Sequence, residues 1–142
     1  MKEMLFIDTW GWVALHNKRE TRHGEVKAFY REYRLSAGKI YTTDYVLDET
    51  LTLVFRRLPL EQAKTSMDSI NDAIGQGYLH LEWISPSRFE EAKALRLKFD
   101  DKPRISFTDL TSMVVMKELG VKSILTDDDH FVQLGFDFEK TP

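Results

Sequence analysis

Apolar and polar positions follow two rhythms along this chain, one of period two and one of period near 3.6, and they take turns. Met4 to Ile7 is a four-residue apolar run that stops at Asp8, and the short amphipathic stretch WGWVALHN follows it. That order predicts a strand and then a helix. Val26, Phe29, Tyr30 and Tyr33 recur at i, i+3, i+4 and i+7, which predicts a helix over roughly 22–35, with Gly38 as its stop. KIYTTD, 39–44, is the second predicted strand. Leu47, Leu51, Val54, Phe55 and Leu58 then keep helical spacing across Val46 to Leu58, and Pro59 separates them from another helix at about 60–74 that ends at Gly75 and Gly77. YLHLEWI, 78–84, alternates Leu79, Leu81 and Trp83 as a strand does. Ser87-x-x-Glu90 has the form of a capping box opening a helix over 88–99. After Pro103, SFTDLTSMVVMKEL predicts a helix ended by Gly120, and VKSILT, 121–126, is the last clear strand before a loop and FDFEK.

Strands separated by helices imply a parallel sheet, because each crossover must return over a face of the sheet before the next strand is laid down. The predicted class is α/β, a three-layer α/β/α sandwich around a central, mostly parallel sheet, in one domain spanning 1–142. In such sheets ligands bind beyond the carboxyl ends of the strands. Acids stand there: Asp8 after LFI, Asp44 after IYTT, and Asp127, Asp128 and Asp129 after SILT.

Composition narrows the chemistry. A chain of 142 residues with 42% hydrophobic content can bury one core, and a second domain is not expected. The longest apolar runs, MLFI and SMVVM, fall far short of the roughly 20 residues that span a bilayer. Lys2 and Glu3 start the chain without a signal-peptide pattern, so the expectation is a cytoplasmic protein with no membrane partner. With no cysteine, any metal must be held by oxygen or imidazole. The four histidines, at 16, 23, 80 and 130, show no HExxH spacing, which turns attention to the 23 carboxylates. A formal charge of −3 argues against nucleic-acid binding by bulk attraction. Local basic clusters remain, at Arg19, Arg22, Lys27, Arg31, Arg34 and Lys39 and again at Arg96, Lys98, Lys102 and Arg104; each reads either as a solvated helix face or as a phosphate contact.

Each carboxylate has an ordinary explanation beside a functional one. Asp8 suits the N-cap of the helix it precedes. Glu49 shares a helical row with Val46, Thr50 and Leu53, so its charge is expected to face the packed side and to need a metal or a distant arginine as partner. Asp109 begins the inward row Asp109, Ser112, Met113 and Met116, yet Ser106-x-x-Asp109 also resembles a capping box, and taken alone the cap is favoured. The three consecutive aspartates fit an acidic surface turn with Thr126 capping Asp129. As a set they are harder to dismiss. Two carboxylates about 4 Å apart repel by about 4 kcal/mol at an effective dielectric near 20, more than a cap returns. A hard divalent cation, Mg²⁺ or Mn²⁺, reverses that sign and leaves positions open for a phosphate. The chemistry this favours is phosphodiester hydrolysis.

FIDTWGWVAL, VLDETLTL, SFTDLTSMVVMKELG and ILTDDDHFVQLGF, in this order across about residues 4–136, resemble the PIN-domain nucleases, and most of all the VapC-type toxins of bacterial toxin–antitoxin pairs. The resemblance implies that Asp8, Glu49, Asp109 and, through Thr126-x-Asp128-x-x-Phe131, Asp128 are catalytic and hold Mg²⁺ or Mn²⁺. Asp127 and Asp129 stand as alternative ligands, and Asp48 as a weaker one. Thr9 and Thr126 match hydroxyl positions beside the metal and are expected to orient its ligands by hydrogen bonds. The resemblance also implies an RNA substrate, a homodimer, and a cognate antitoxin that occludes the cleft.

The leading expectation is therefore a metal-dependent endoribonuclease acting as the toxin of such a pair. Two other readings stand beside it: a PIN nuclease with a housekeeping RNA-processing task, and a non-catalytic module that keeps its acids for ion or partner binding. Asp128→Asn is expected to raise the melting temperature of the metal-free protein. Trp10 and Trp12, beside Asp8, read either as core or as platforms for a base.

Overall fold

Met4–Ile7 forms the first strand (β1), and three of its four residues are buried, as a strand covered on both faces requires. The computed structural model describes residues 3–142, so Lys2 lies outside the described residues. After β1 the order is α1 (Thr9–His16), α2 (His23–Leu35), β2 (Lys39–Thr43), α3 (Asp44–Arg57), α4 (Leu60–Gly75), β3 (Leu79–Glu82), α5 (Pro86–Lys98), α6 (Phe107–Leu119) and β4 (Ser123–Leu125). A short 3₁₀ turn at Asp129–Val132 and a last strand, β5 (Glu139–Thr141), complete it.

The five strands lie in the order β3-β2-β1-β4-β5, and all four pairings are parallel. The sheet grows from β1 toward β2 and β3 on one side, then returns to add β4 and β5 on the other. The crevice between the ends of β1 and β4 is therefore the topological switch point, where parallel sheets leave room for a ligand. Six helices flank the sheet, so the expected α/β architecture is the observed one. Helix α6 is buried without a break from Asp109 to Met116, because it lies in the main core with Leu5, Phe6, Ile7, Ile124 and Leu125. No helix among the described residues is long and apolar enough to cross a membrane.

Four local expectations need correction. The cap of α5 is Ser85, whose hydroxyl accepts the Arg88 N–H at 3.2 Å, rather than Ser87. Pro86 occupies the first turn, where its missing N–H costs nothing, so the capping side chain has to come before it. Strand β3 is shorter than 78–84, because the Tyr78 N–H bonds back to Ala73 and the Ile84 N–H is taken by the Asp44 carboxylate at 2.8 Å. The residues after Phe136, read as following a loop, turn through Asp137 at φ 61° and add β5 as a parallel edge. Asp8 has extended backbone angles at the start of α1, yet its side chain makes no cap hydrogen bond.

Candidate active site

The crevice between β1 and β4 opens into a cavity of about 500 Å³, and its wall carries Asp8, Thr9, Glu49, Asp109, Asp127 and Asp128. Four elements supply these groups. Asp8 sits at the exit of β1, Glu49 on α3, Asp109 on the first turn of α6, and Asp127 and Asp128 after β4.

Asp8 is the floor. Its backbone is tied to β4 by an N–H bond to the Leu125 carbonyl at 3.3 Å. A buried relay holds the end of β1 from below: Trp12 Nε1–H donates to Thr42 Oγ1 at 3.2 Å, and the Thr42 hydroxyl donates to the Ile7 carbonyl at 3.1 Å. Gly11 completes the support. A Cβ there would stand 2.6 Å from the Leu125 carbonyl oxygen, so only glycine lets α1 lie this close to β4. The carboxylate of Asp8 is 5% exposed and accepts the Thr126 hydroxyl at 3.0 Å. Burial, and then the neighbouring charge of Asp109, push its pKa up to about 7; Glu49 adds to the rise, while the Thr9 N–H and Thr126 oppose it.

Asp109 does two jobs. Its N–H donates to Ser106 Oγ at 3.0 Å and its Oδ2 accepts the Ser106 N–H at 3.4 Å, which is a complete capping box. The same Oδ2 lies 3.2 Å from His130 Nδ1. Burial raises its pKa, the His130 hydrogen bond opposes that rise, and the Asp128 charge adds to it. Cap and cleft group are thus one side chain.

Glu49 corrects the sequence reading. It is exposed, while Val46 and Thr50 beside it are buried. Val46 and Thr50 pack inward while Glu49 itself lies on the wall of the open cavity, so water reaches the charge and no buried partner is required. Asp48 is also exposed and is not part of the cavity wall.

The three aspartates after β4 go three ways. Asp127 is exposed at the rim and pairs with Arg22 at 3.0 Å. Asp128 turns inward: its N–H donates to Thr126 Oγ1 at 3.1 Å, its Oδ1 accepts the His130 N–H at 2.8 Å, and its Oδ2 lies 3.0 Å from His130 Nδ1. Asp129 points away to Lys140 at 2.6 Å, which holds its pKa below the ordinary value, and it does not line the cavity. Thr126 therefore serves Asp8 and Asp128 together, rather than capping Asp129.

The sequence reading passed over two cleft residues, His130 and Arg57, and named a third, Arg104, only as part of a basic cluster. His130 touches both Asp109 and Asp128, and its only signal was its place directly after the acidic triple. Arg57 lines the cavity two turns beyond Glu49 on the same face of α3, a spacing visible in the sequence. Arg104 lines it as well, out of a basic segment whose Arg96 is spent instead on the carbonyls of Ile105, Phe99 and Lys102. Trp12 belongs to the core, whereas Trp10 is half-buried on the cavity wall with the Arg22 guanidinium 5.3 Å above its ring.

These residues fit a hard divalent cation. Oxygen donors dominate the set; among the described residues, the buried Asp8 carboxylate has a hydroxyl and a backbone N–H but no basic side chain to offset its charge, and the buried Thr9 Oγ1 on the cavity wall has no hydrogen-bond partner. Asp109, Asp128 and His130 each present a donor atom within 4.8 Å of the other two.

The sequence profile of the PIN domain matches residues 5–137. The chain belongs to the PIN domain family. Within that family it is 31% identical over 136 residues to the 23S rRNA-specific endonuclease VapC20 of Mycobacterium tuberculosis (strain CDC 1551 / Oshkosh), covering 94% of this chain and 95% of that protein. The crystal structure of M. tuberculosis VapC20, a Sarcin-Ricin loop cleaving toxin, superimposes with a TM-score of 0.79 at 27% identity, over 96% of this chain and 98% of that one. VapBC2 from Rickettsia felis, solved bound to a DNA fragment from its promoter, shares the PIN fold at a TM-score of 0.67 and 16% identity, over 97% of both chains.

Proposed function

We propose that this PIN domain is a VapC-type endoribonuclease that hydrolyses RNA phosphodiester bonds with a divalent cation, Mg²⁺ or Mn²⁺, held by Asp8, Glu49, Asp109 and Asp128. The observation that carries the reading is Asp8. An almost wholly buried carboxylate on the cavity wall, facing Asp109 and Glu49 with no basic side chain among the described residues to offset it, disfavours the ionised state of the free protein and suits a cleft built to be neutralised by a cation. When bound there, such an ion supplies Lewis acidity toward the phosphate and lowers the pKa of water.

The chain's own side chains divide the remaining work. Thr126 fixes the rotation of the Asp8 carboxylate and the backbone of Asp128 at once, so two acids from different strands keep one spacing. Thr9, with its unpartnered buried hydroxyl on the cavity wall, has a hydrogen bond left to give to a cation-bound water. Arg57 and Arg104 stand on the same wall and supply the positive charge that draws phosphates to an otherwise acidic opening. Trp10 offers a partly exposed ring for a base beside the scissile bond, with Arg22 on its face.

The substrate proposed is structured ribosomal RNA, supported by the relationship to VapC20, itself described as 23S rRNA-specific. A cognate antitoxin that covers the cleft, a homodimer, a cytoplasmic location and a single domain over 1–142 belong to the same proposal. Incubating the purified protein with intact ribosomes and with total RNA, in chelator, Mg²⁺ or Mn²⁺, tests it. Discrete cleavage that needs the ion and disappears in Asp109→Asn is the expected result. Cleavage that persists in Asp109→Asn, or in chelator, overturns the assignment.

A further inference from the structure

The cleft holds one donor that no acid-only cation site requires. His130 Nδ1 lies 3.2 Å from Asp109 Oδ2 and 3.0 Å from Asp128 Oδ2, placing an imidazole nitrogen between two carboxylates from different elements. A single N–H directs its hydrogen along one line. It cannot make two good bonds to two separate carboxylates, so hydrogen bonding alone leaves one of these contacts poorly satisfied. The spacings have a second meaning. Two donors on adjacent corners of an octahedral cation, each about 2.1 Å from it, stand about 3 Å apart. The three donor atoms here are mutually within 4.8 Å, which one shared ion can draw together by small side-chain rotations.

The backbone holds this arrangement ready. The His130 N–H donates to Asp128 Oδ1 at 2.8 Å, leaving Asp128 Oδ2 to face the ring, and the Asp128 N–H is held by Thr126 at 3.1 Å. The Asp109 carboxylate is set by its capping box. Neither acid has a lysine or arginine partner within ion-pair distance among the described residues. Asp127 and Asp129 on either side each have one. Basic side chains thus neutralise the outer two aspartates of the triple and leave the middle one to the imidazole.

We propose that Asp109, Asp128 and His130 form a nitrogen-bearing cation position at the β4 side of the cleft, with Asp109 shared between it and Asp8, and that this position selects Mn²⁺ over Mg²⁺. The inference rests on the proposed metal-dependent function and adds a ligand and an ion preference to it. Its chemical basis is donor softness. Mg²⁺ favours oxygen throughout and gives up water reluctantly, whereas Mn²⁺ accepts an imidazole nitrogen among carboxylates more readily. The ring therefore adds more to the binding of Mn²⁺ than to that of Mg²⁺.

The test uses the full chain with MnCl₂ or MgCl₂ alone and reads binding rather than cleavage. Pulsed electron paramagnetic resonance of the Mn²⁺-loaded protein is expected to show ¹⁴N coupling from one directly bound imidazole, absent in His130→Gln. Thermal-shift titrations are expected to give an apparent Mn²⁺ affinity at least about tenfold above that for Mg²⁺ in the wild type, with the ratio collapsing toward unity in His130→Gln and His130→Ala. If the substitutions impair folding, the wild-type spectrum decides alone. Bound Mn²⁺ with oxygen-only coordination and an unchanged ion ratio in both variants overturns the imidazole position while leaving the oxygen-ligand cleft standing. No response to either ion in the wild type, with Asp109→Asn equally silent, overturns both.

Discussion

The ends of β1 and β4 are neighbours in the sheet and both carry aspartate, yet they treat it in opposite ways. At β1, Asp8 has a hydroxyl and a backbone N–H for partners, and burial, added to by the charges of Asp109 and Glu49, pushes its pKa up to about 7. At β4, each aspartate of the triple has a basic or imidazole neighbour: Arg22 for Asp127, His130 for Asp128 and Lys140 for Asp129. Lysine and arginine compensate the two outer aspartates, which face solvent, whereas Asp8, Asp109 and Asp128, the acids of the proposed cation site, have no such partner among the described residues. The three adjacent aspartates are held in check because successive residues of the turn point in different directions, so they do not crowd one another.

The largest expected effect comes from removing charge at the shared centre of that contrast. Asp109→Asn should lower metal-dependent cleavage by on the order of a hundredfold or more, measured as single-turnover rates on a defined RNA. Folding should survive, because an asparagine side chain can still accept the Ser106 N–H within the capping box.

Next in size is the stability of the metal-free protein. Asp8 has a folded pKa above its unfolded value of 3.8, so between about pH 4 and 7 the native state holds the extra proton. Its contribution makes stability fall as pH rises through that window, by on the order of a few kcal/mol in all. Asp8→Asn should abolish this loss and raise the melting temperature by several degrees at pH 8 in chelator. His16 acts with the opposite sign. Burial lowers its folded pKa from 6.5 to about 4, so its contribution is lost as pH falls from about 6.5 toward 4. Asp8→Asn should therefore show stability rising with pH over that range, where the wild type has the two trends opposed. A melting profile unchanged by the substitution would remove the claim that Asp8 is the strained end. The structure also moves the stabilising substitution expected at Asp128 to Asp8, since Asp128 is already tied to the His130 N–H.

Gly11→Ala sharpens the comparison from the backbone side. The added methyl would meet Leu125 O at 2.6 Å and Leu125 Cγ at 2.9 Å, pressing β4 away from the helix that follows Asp8. A loss of about 1–3 kcal/mol in denaturant unfolding is expected, together with weaker cation binding, since both strand ends move. At the small end, Asp129→Asn should leave the melting temperature, the cation response and cleavage within error of the wild type. Loss of the cation response there would mean that the outward ion pair with Lys140 is broken in the working protein.

Periodicity alone determined most of this protein's outline: which stretches are strands, which are helices, that the sheet is parallel, and that acids gather at its carboxyl edge. Those features follow from side-chain spacing and crossover geometry, which are local or nearly so. The boundaries it missed were set by competition for single hydrogen bonds, as when the Asp44 carboxylate took the Ile84 N–H or Pro86 moved the cap to Ser85. Only the tertiary structure decided the partners. A helical row places Glu49 beside Val46 and Thr50, but does not show that Glu49 lines a cavity while the other two are buried. Three consecutive aspartates look alike in one dimension. Arg22, His130 and Lys140 distinguish them only after the chain has folded, because the field at a carboxylate depends on which distant charges and how much water the fold brings to it.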